Sequence, residues 1–105
     1  MNLKHVVIIA ASVFIMSILG CAVDKQLTAT GGSRADGIVK LSYEYGLFER
    51  PQLDGQQGIT EARQRCSAWG YRNAQPFDGA RQKCINHDGT NCLRWLVTID
   101  YQCTN

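Results

Sequence analysis

The sequence has no apolar run long enough for a permanent transmembrane helix. Its longest such run, residues 6–19, has 14 residues, whereas a helix needs about 20 apolar residues to cross the hydrocarbon core of a bilayer. An Ala-x-Ala pattern is also absent from the end of that run, so an ordinary signal-peptidase site is excluded. The run therefore predicts an export signal of another kind or, as the alternative, an uncleaved N-terminal anchor.

The chain also lacks the patterns of a metal, redox or nucleic-acid-binding protein. Its five cysteines include no C-x-x-C pair, which structural zinc sites and thiol oxidoreductases use. The charge is nearly balanced, with 11 basic and 9 acidic residues. No Lys/Arg cluster forms a basic stripe, so we expect no nucleic-acid partner and no cofactor.

The N-terminal segment does contain the pattern of a lipoprotein signal. Lys4 precedes the apolar run, which closes with the sequence ILGC at residues 18–21. This closing sequence resembles the lipobox of bacterial lipoproteins, in which a small residue precedes a cysteine that receives a diacylglyceryl group. The signal is then cut before the cysteine, and the new amino terminus is acylated. The resemblance implies removal of residues 1–20 and lipid attachment, palmitate included, at Cys21.

The position of the anchored protein follows from the same pattern. Several acyl chains together hold a protein stably on a membrane. Ala22, directly after Cys21, resembles the residue found in outer-membrane lipoproteins rather than the Asp that retains lipoproteins in the inner membrane. We therefore expect a lipid anchor on the periplasmic face of the outer membrane.

Beyond Cys21 the chain holds an even set of cysteines. An even number in a small exported domain predicts a disulfide framework. Two structural disulfides are therefore expected among Cys66, Cys84, Cys92 and Cys103.

The first part of the mature chain divides into a predicted tether, a strand and a loop. Residues 21–35 carry the lipidated cysteine and are mostly small and polar, which predicts a flexible tether before a globular domain of residues 36–105. Residues 37–46 alternate between apolar and polar side chains, which predicts a half-buried strand. A loop is expected from residue 46 to residue 51.

A helix is predicted from about Gly55 to Trp69. Asp54 is a suitable N-cap residue, Gln57 completes a capping-box pattern three residues later, and Gly70 suits the position after the helix. An interior glycine, Gly58, weakens the helix because it costs about 1 kcal/mol relative to alanine. The predicted buried face consists of Ile59, Ala62, Cys66 and Trp69.

The C-terminal third reads as a hairpin with its turn at Asp88-Gly89. A strand over residues 92–103 separates its two ends by roughly 35 Å, so Cys92 cannot bond Cys103. The hairpin instead places Cys84 opposite Cys92 on the outer face. Cys103 lies on the core face and can meet Cys66 on the helix. We therefore predict the disulfides Cys66–Cys103 and Cys84–Cys92.

Together these elements predict an α+β fold. The domain is a small β-α-β-β unit with a mainly antiparallel, three-stranded sheet, one packed helix and two disulfides. Trp69, Trp95 and the apolar faces of the first and last strands are expected to fill its core. A small all-β barrel is the alternative.

Four stretches of the mature chain then indicate a family. SRADGIVKLSYEYGLFE, RCSAWGY, AQPF and NCLRWLVTIDYQC are similar to sequences of the YecR-like lipoproteins, small exported proteins of proteobacteria. The resemblance covers residues 33–103 and includes all four disulfide cysteines. It implies a lipoprotein, some of whose relatives are linked with motility genes, and it brings no catalytic residue.

Two classes of function stay open on this sequence. His87 is the single histidine of the mature chain and lies in the predicted turn, where no nucleophile or acid–base pair can be assembled around it. We therefore expect a non-catalytic accessory module that binds an envelope protein or peptidoglycan. The alternative is an inhibitor of a cell-wall hydrolase, similar to lysozyme inhibitors, that inserts a loop at residues 46–54 or 85–91.

Overall fold

The computed structural model describes residues 21–105, and the predicted signal peptide, residues 1–20, lies outside the described residues. Within residues 21–105 the chain forms six strands and one helix. They are β1 (Cys21–Lys25), β2 (Thr28–Ser33), β3 (Ile38–Gly46), β4 (Glu49–Leu53), α1 (Gly55–Ala68), β5 (Asn73–Asp88) and β6 (Asn91–Thr104).

The predicted α+β architecture is confirmed in outline, but the three-stranded sheet is wrong. The main sheet has four antiparallel strands in the order β2-β3-β6-β5, and β1 pairs in parallel with β4 in a separate two-stranded sheet. The extra strand is β2, with the sequence TATGGS. None of its residues is buried, so its sequence lacks the apolar alternation that would predict a strand.

The predicted tether over residues 21–35 is therefore also wrong. Both β1 and β2 lie in this segment, so the ordered domain begins at Cys21 and not at residue 36. Leu27 connects the two strands and is 2% exposed. Its amide donates to Gln57 Oε1 and its carbonyl accepts from Gln57 Nε2, both at 2.9 Å. These two bonds hold the connection on the helix.

The loop predicted over residues 46–51 is shorter in the structure. Only Leu47 and Phe48 form a turn, because Gly46 still belongs to β3 and β4 begins at Glu49. Half of the segment predicted as a loop, residues 49–51, therefore belongs to the sheet that β1 completes.

The helix is confirmed nearly as predicted, ending at Ala68 with Trp69 as its C-cap. Asp54 is the N-cap, and its Oδ1 accepts from the amide of Gln56 at 2.9 Å. Gly70 has a φ of 93°, the left-handed conformation that glycine adopts after a helix. The capping box is wrong, because the Gln57 side chain binds Leu27.

The core lies between α1 and the half of the sheet that holds the start of β3, the start of β5 and the end of β6. The buried cluster comprises Leu27, Val39, Leu41, Ala62, Cys66, Ala74, Tyr101 and Cys103. Trp69 packs against it as expected, but Trp95 lies outside the cluster and is only half-buried. Trp95 pairs with Tyr45 and Cys84, far along β6 from the residues that α1 covers.

The hairpin and both predicted disulfides are present. Asp88 pairs with Asn91, so the turn lies at Gly89-Thr90, and Gly89 has a φ of 60°. Cys66 bonds Cys103, with their Cα atoms 5.5 Å apart, and Cys84 bonds Cys92, with 5.9 Å between their Cα atoms. The predicted register of the hairpin, in which Cys84 lies opposite Cys92, is wrong.

The register differs because the pairing of β5 with β6 is irregular near the turn. It shifts between Cys84 and Asn86, and again between Asn86 and His87. As a result Cys84 pairs with Trp95 and Cys92 pairs with His87. These irregularities leave extra residues in both strands, and the Cα atoms of Cys84 and Cys92 still lie close enough for a disulfide.

Candidate functional site

The end of the β5–β6 hairpin projects beyond the rest of the sheet. Arg94 pairs with Gly46, the last residue of β3, so β6 has no partner other than β5 before that point. We call residues 84–92 the clamped tip, since the disulfide joins its two ends. Its residues 85–91 are all exposed, and none of the tip belongs to the core cluster. The disulfide therefore orders a segment that packing does not hold.

An ordered, exposed segment outside the core is suited to recognition. A binding loop that is already rigid loses little conformational entropy when it meets a partner. The tip presents the imidazole of His87, the carboxylate of Asp88 and the apolar side chain of Ile85 to solvent. The chain thus offers a preformed polar surface with one apolar contact point.

The sheet face turned away from α1 is polar and internally hydrogen-bonded. Ser42 lies on this face and is a polar residue of the alternating strand β3, yet it is only 2% exposed. Its hydroxyl forms hydrogen bonds with the hydroxyls of Thr30, at 2.8 Å, and Thr98, at 2.9 Å. These three hydroxyls join β2, β3 and β6, so burying Ser42 leaves no polar atom without a partner.

A bidentate ion pair lies on the same face. Arg81 on β5 donates two hydrogen bonds to Asp100 on β6, at 2.8 and 2.9 Å. Hydrogen bonding from this guanidinium holds the pKa of the Asp100 carboxyl below its ordinary value. Since Asp100 is 8% exposed, the pair compensates the charge that β6 buries and fixes β5 against β6.

A shallow groove of about 240 Å³ runs between this polar face and the start of the chain. Lys25, Glu44 and Arg94 bring both charge signs to it, and Thr30 and Ser42 bring hydroxyls. Arg94 pairs with Asn86, so the groove lies next to the clamped tip. Tip and groove together form the candidate partner-binding surface.

Cys21, the predicted lipid-attachment residue, lies exposed at the first position of β1. Its amide donates to the carbonyl of Phe48 at 3.1 Å, and it pairs with Glu49. The Glu49 carboxylate accepts from the amide of Gly46 at 2.6 Å and from Lys25 Nζ at 3.0 Å. These hydrogen bonds lower the pKa of Glu49, the backbone bond contributing most.

His87 and the two loops predicted for insertion are the remaining candidate site features. His87 is exposed in the clamped tip, and within residues 21–105 no group of three His, Cys, Asp or Glu side chains is arranged to hold a metal ion. Of the two loops proposed for insertion, residues 46–54 are largely strand β4, which β1 holds, while residues 85–91 form the tip.

Sequence reasoning missed the residues that attach the start of the chain to the domain. Gln57 binds the backbone of Leu27, and Gly58 leaves space for the Leu27 side chain. The strand β1 places Cys21 beside the Leu47–Phe48 turn. The one available signal was Leu27, an isolated large apolar residue in a polar stretch.

Comparison with known proteins now identifies the family. The family model described as "YecR-like lipoprotein" matches residues 26–104, which span α1 and the four strands of the main sheet. The chain belongs to the YecR-like lipoprotein family. Protein YecR of Escherichia coli (strain K12) is 29% identical over 89 residues, covering 85% of this chain and 83% of the relative.

Membership in a lipoprotein family indicates a membrane-anchored protein of the cell envelope. Within residues 21–105 no helix is both long and apolar enough to cross a membrane. The expected family resemblance is confirmed, and the matched region contains all four cysteines of the two disulfides.

Proposed function

We propose that this YecR-like lipoprotein is a non-catalytic accessory protein, anchored through Cys21 to the periplasmic face of the outer membrane. In this proposal it binds an envelope protein or peptidoglycan through the clamped tip. The clamped tip itself carries the proposal, since it is exposed, lies outside the core and is ordered by its own disulfide. Such a construction adds little to the core but gives a preorganised binding element.

The anchor is supported by three observations. The family is one of lipoproteins, Cys21 follows a lipobox-like sequence, and the other four cysteines form the two disulfides. Cys21 is also exposed, so its thiol is accessible to a modifying enzyme. Ala22, rather than Asp, in the following position supports the outer membrane as the destination.

We expect wild-type protein isolated from membranes to lack residues 1–20 and to carry added acyl mass on Cys21. The protein should also sediment with outer-membrane fractions. Cys21→Ala should retain the signal segment, because the lipoprotein signal is cut only after the thiol is modified. Intact mass spectrometry and membrane fractionation check both points. A wild-type mass equal to that of the unmodified full chain would end the anchor proposal.

Binding through the tip is tested by photo-crosslinking in intact envelopes. A photoreactive residue replacing His87 should yield an adduct with one partner, identified by mass spectrometry. The matched control replaces Gln64, which is exposed on α1. Adding Cys84→Ala and Cys92→Ala to the His87 probe should lower the adduct yield severalfold, because the unclamped tip must be ordered on binding. Equal adduct formation from both probe positions would contradict recognition by the tip.

The same tip favours a second candidate, an inhibitor of a cell-wall hydrolase. A rigid hairpin that projects from its domain has the shape needed to enter an enzyme cleft. In that case the His87 adduct would contain a hydrolase, and the purified lipoprotein would inhibit that enzyme. An adduct with an envelope assembly protein or with peptidoglycan supports the accessory role.

A further inference from the structure

Two large apolar side chains are strongly exposed in the turn between β3 and β4. Phe48 is 81% exposed and Leu47 is 57% exposed, the two highest values among the exposed large apolar residues of the described chain. Neither belongs to the core cluster or packs against it. Single exposed apolar residues are common, but two adjacent ones at a turn form a protruding apolar point.

This turn lies directly beside the proposed lipid-attachment residue. The amide of Cys21 donates to the carbonyl of Phe48 at 3.1 Å, and β1 continues in parallel register with β4 from Cys21 opposite Glu49. Acylation of the Cys21 nitrogen leaves one N–H on it, so the lipidated protein retains the donor of this hydrogen bond. No flexible segment separates the anchor from the domain, since β1 begins at Cys21 itself.

The charges around the turn are compatible with a phospholipid surface. The Glu49 carboxylate is held by Gly46 and Lys25, so its charge is compensated within the protein. Arg50, the next residue, is exposed and pairs with Ala22 in the sheet. Arg50 thus adds a positive charge two residues after Phe48, and a guanidinium pairs well with lipid phosphates.

Of the three remaining exposed large apolar residues in the described chain, Ile85 lies near this turn and the other two lie away from it. Leu53, 40% exposed, pairs with Lys25 at the far end of β4. Ile85, 40% exposed, precedes Asn86, which pairs with Arg94, and Arg94 in turn pairs with Gly46 beside the turn. Phe77 is 43% exposed but pairs with Asp100, at the level of Lys40 on β3. Six residues of strand, about 20 Å, separate Lys40 from Gly46.

We infer that the Leu47–Phe48 turn is a membrane-docking element that enters the headgroup–acyl boundary of the same bilayer that holds the lipid on Cys21. This inference rests on the proposed lipidation of Cys21. Once acyl chains hold Cys21 at the bilayer, a turn one hydrogen bond away meets the surface at high effective concentration. Apolar and aromatic side chains are stable at that boundary, so the docked domain has one fixed orientation.

The orientation is measurable with tryptophan as a depth probe. Lipidated Phe48→Trp protein is reconstituted into vesicles of phosphatidylethanolamine and phosphatidylglycerol with brominated acyl chains. Phe77→Trp is the matched control, an exposed aromatic position about 20 Å along the sheet. Wild-type protein supplies the signal of Trp69 and Trp95, which is subtracted from both variants.

We expect bromine to quench the Phe48→Trp emission about threefold more than that of Phe77→Trp, because only the first indole reaches the acyl boundary. Acrylamide in the aqueous phase should show the opposite order. Vesicle flotation in the same samples reports the anchor separately. Equal quenching of the two variants on floating vesicles would overturn the docking inference while leaving the anchor intact. Wild-type protein that fails to float would overturn the anchor proposal and the inference with it.

Discussion

Breaking the Cys66–Cys103 disulfide should lower the melting temperature far more than breaking Cys84–Cys92. The two bonds join residues 37 and 8 positions apart. In the loop-entropy description, closing these loops stabilises the fold by about 4 and about 2.5 kcal/mol, respectively. For a domain of this size we expect Cys66→Ala with Cys103→Ala to melt at least about 10 °C below wild type.

Burial widens the difference between the two bonds. Cys66 is 0% exposed and Cys103 is 4% exposed, so losing both sulfur atoms also leaves space in the core between α1 and β6. Cys84 and Cys92 are half-buried and outside the core, and without their bond the tip is free to fray while the domain stays folded. Thermal unfolding by circular dichroism of lipidated protein in detergent measures both variants.

A matched control separates the cross-link from the packing. The Cys84→Ala, Cys92→Ala protein under reducing conditions keeps the sulfur atoms of Cys66 and Cys103 and loses only the bond between them. If it melts close to the Cys66→Ala, Cys103→Ala variant, the cross-link is the main contribution. A Cys84→Ala, Cys92→Ala variant that melts as low as the core variant would show that the tip is part of the cooperative unit, contrary to our prediction.

Gly58→Ala should destabilise the protein although alanine is the better helix former. A Cβ atom at residue 58 would lie 2.5 Å from Tyr101 Oη and 2.7 Å from Leu27 Cδ1. Both neighbours are nearly fully buried. Overpacking of this kind costs typically about 1–3 kcal/mol, against a gain of about 1 kcal/mol in helix propensity. A contact of 2.5 Å with a buried side chain places the cost toward the upper end of that range. We therefore expect the free energy of unfolding to fall by about 1–2 kcal/mol in urea denaturation.

Gly55→Ala is the matched control on the same helix. No atom lies within 4 Å of a Cβ built at residue 55, which is in the first turn of α1. This variant should be as stable as wild type or slightly more stable. A Gly58→Ala protein that gained stability would show that Leu27 and Tyr101 move apart without cost. The glycine would then not be required for the contact between the helix and the start of the chain.

Features that depend on local patterns were predictable from the sequence. Alternation along β3 and β6 places Leu41 and Tyr101 on one face whatever the rest of the chain does, because successive side chains of a strand point to opposite sides. Asp54 delimits the start of α1 through its side-chain carboxylate, and Gly70 delimits its end through its left-handed backbone conformation. Strand length excludes Cys92–Cys103, and the choice between the two remaining pairings depended on the hairpin, which was predicted correctly although its register was not. The lipoprotein family followed from sequence similarity.

Only the tertiary structure decided how the start of the chain joins the domain. The strands β1 and β2 pair with β4 and β3 but contain no buried residue, so their sequences carry no apolar alternation that would predict a strand. The Gln57 side chain does not cap the helix because it forms two hydrogen bonds with the backbone of Leu27, which lies 30 residues earlier in the chain. The same long-range pairing brings Phe48 to Cys21. A local sequence pattern does not report contacts between segments that are distant in the chain. The position of Cys21 relative to the domain could therefore be seen only in the folded structure.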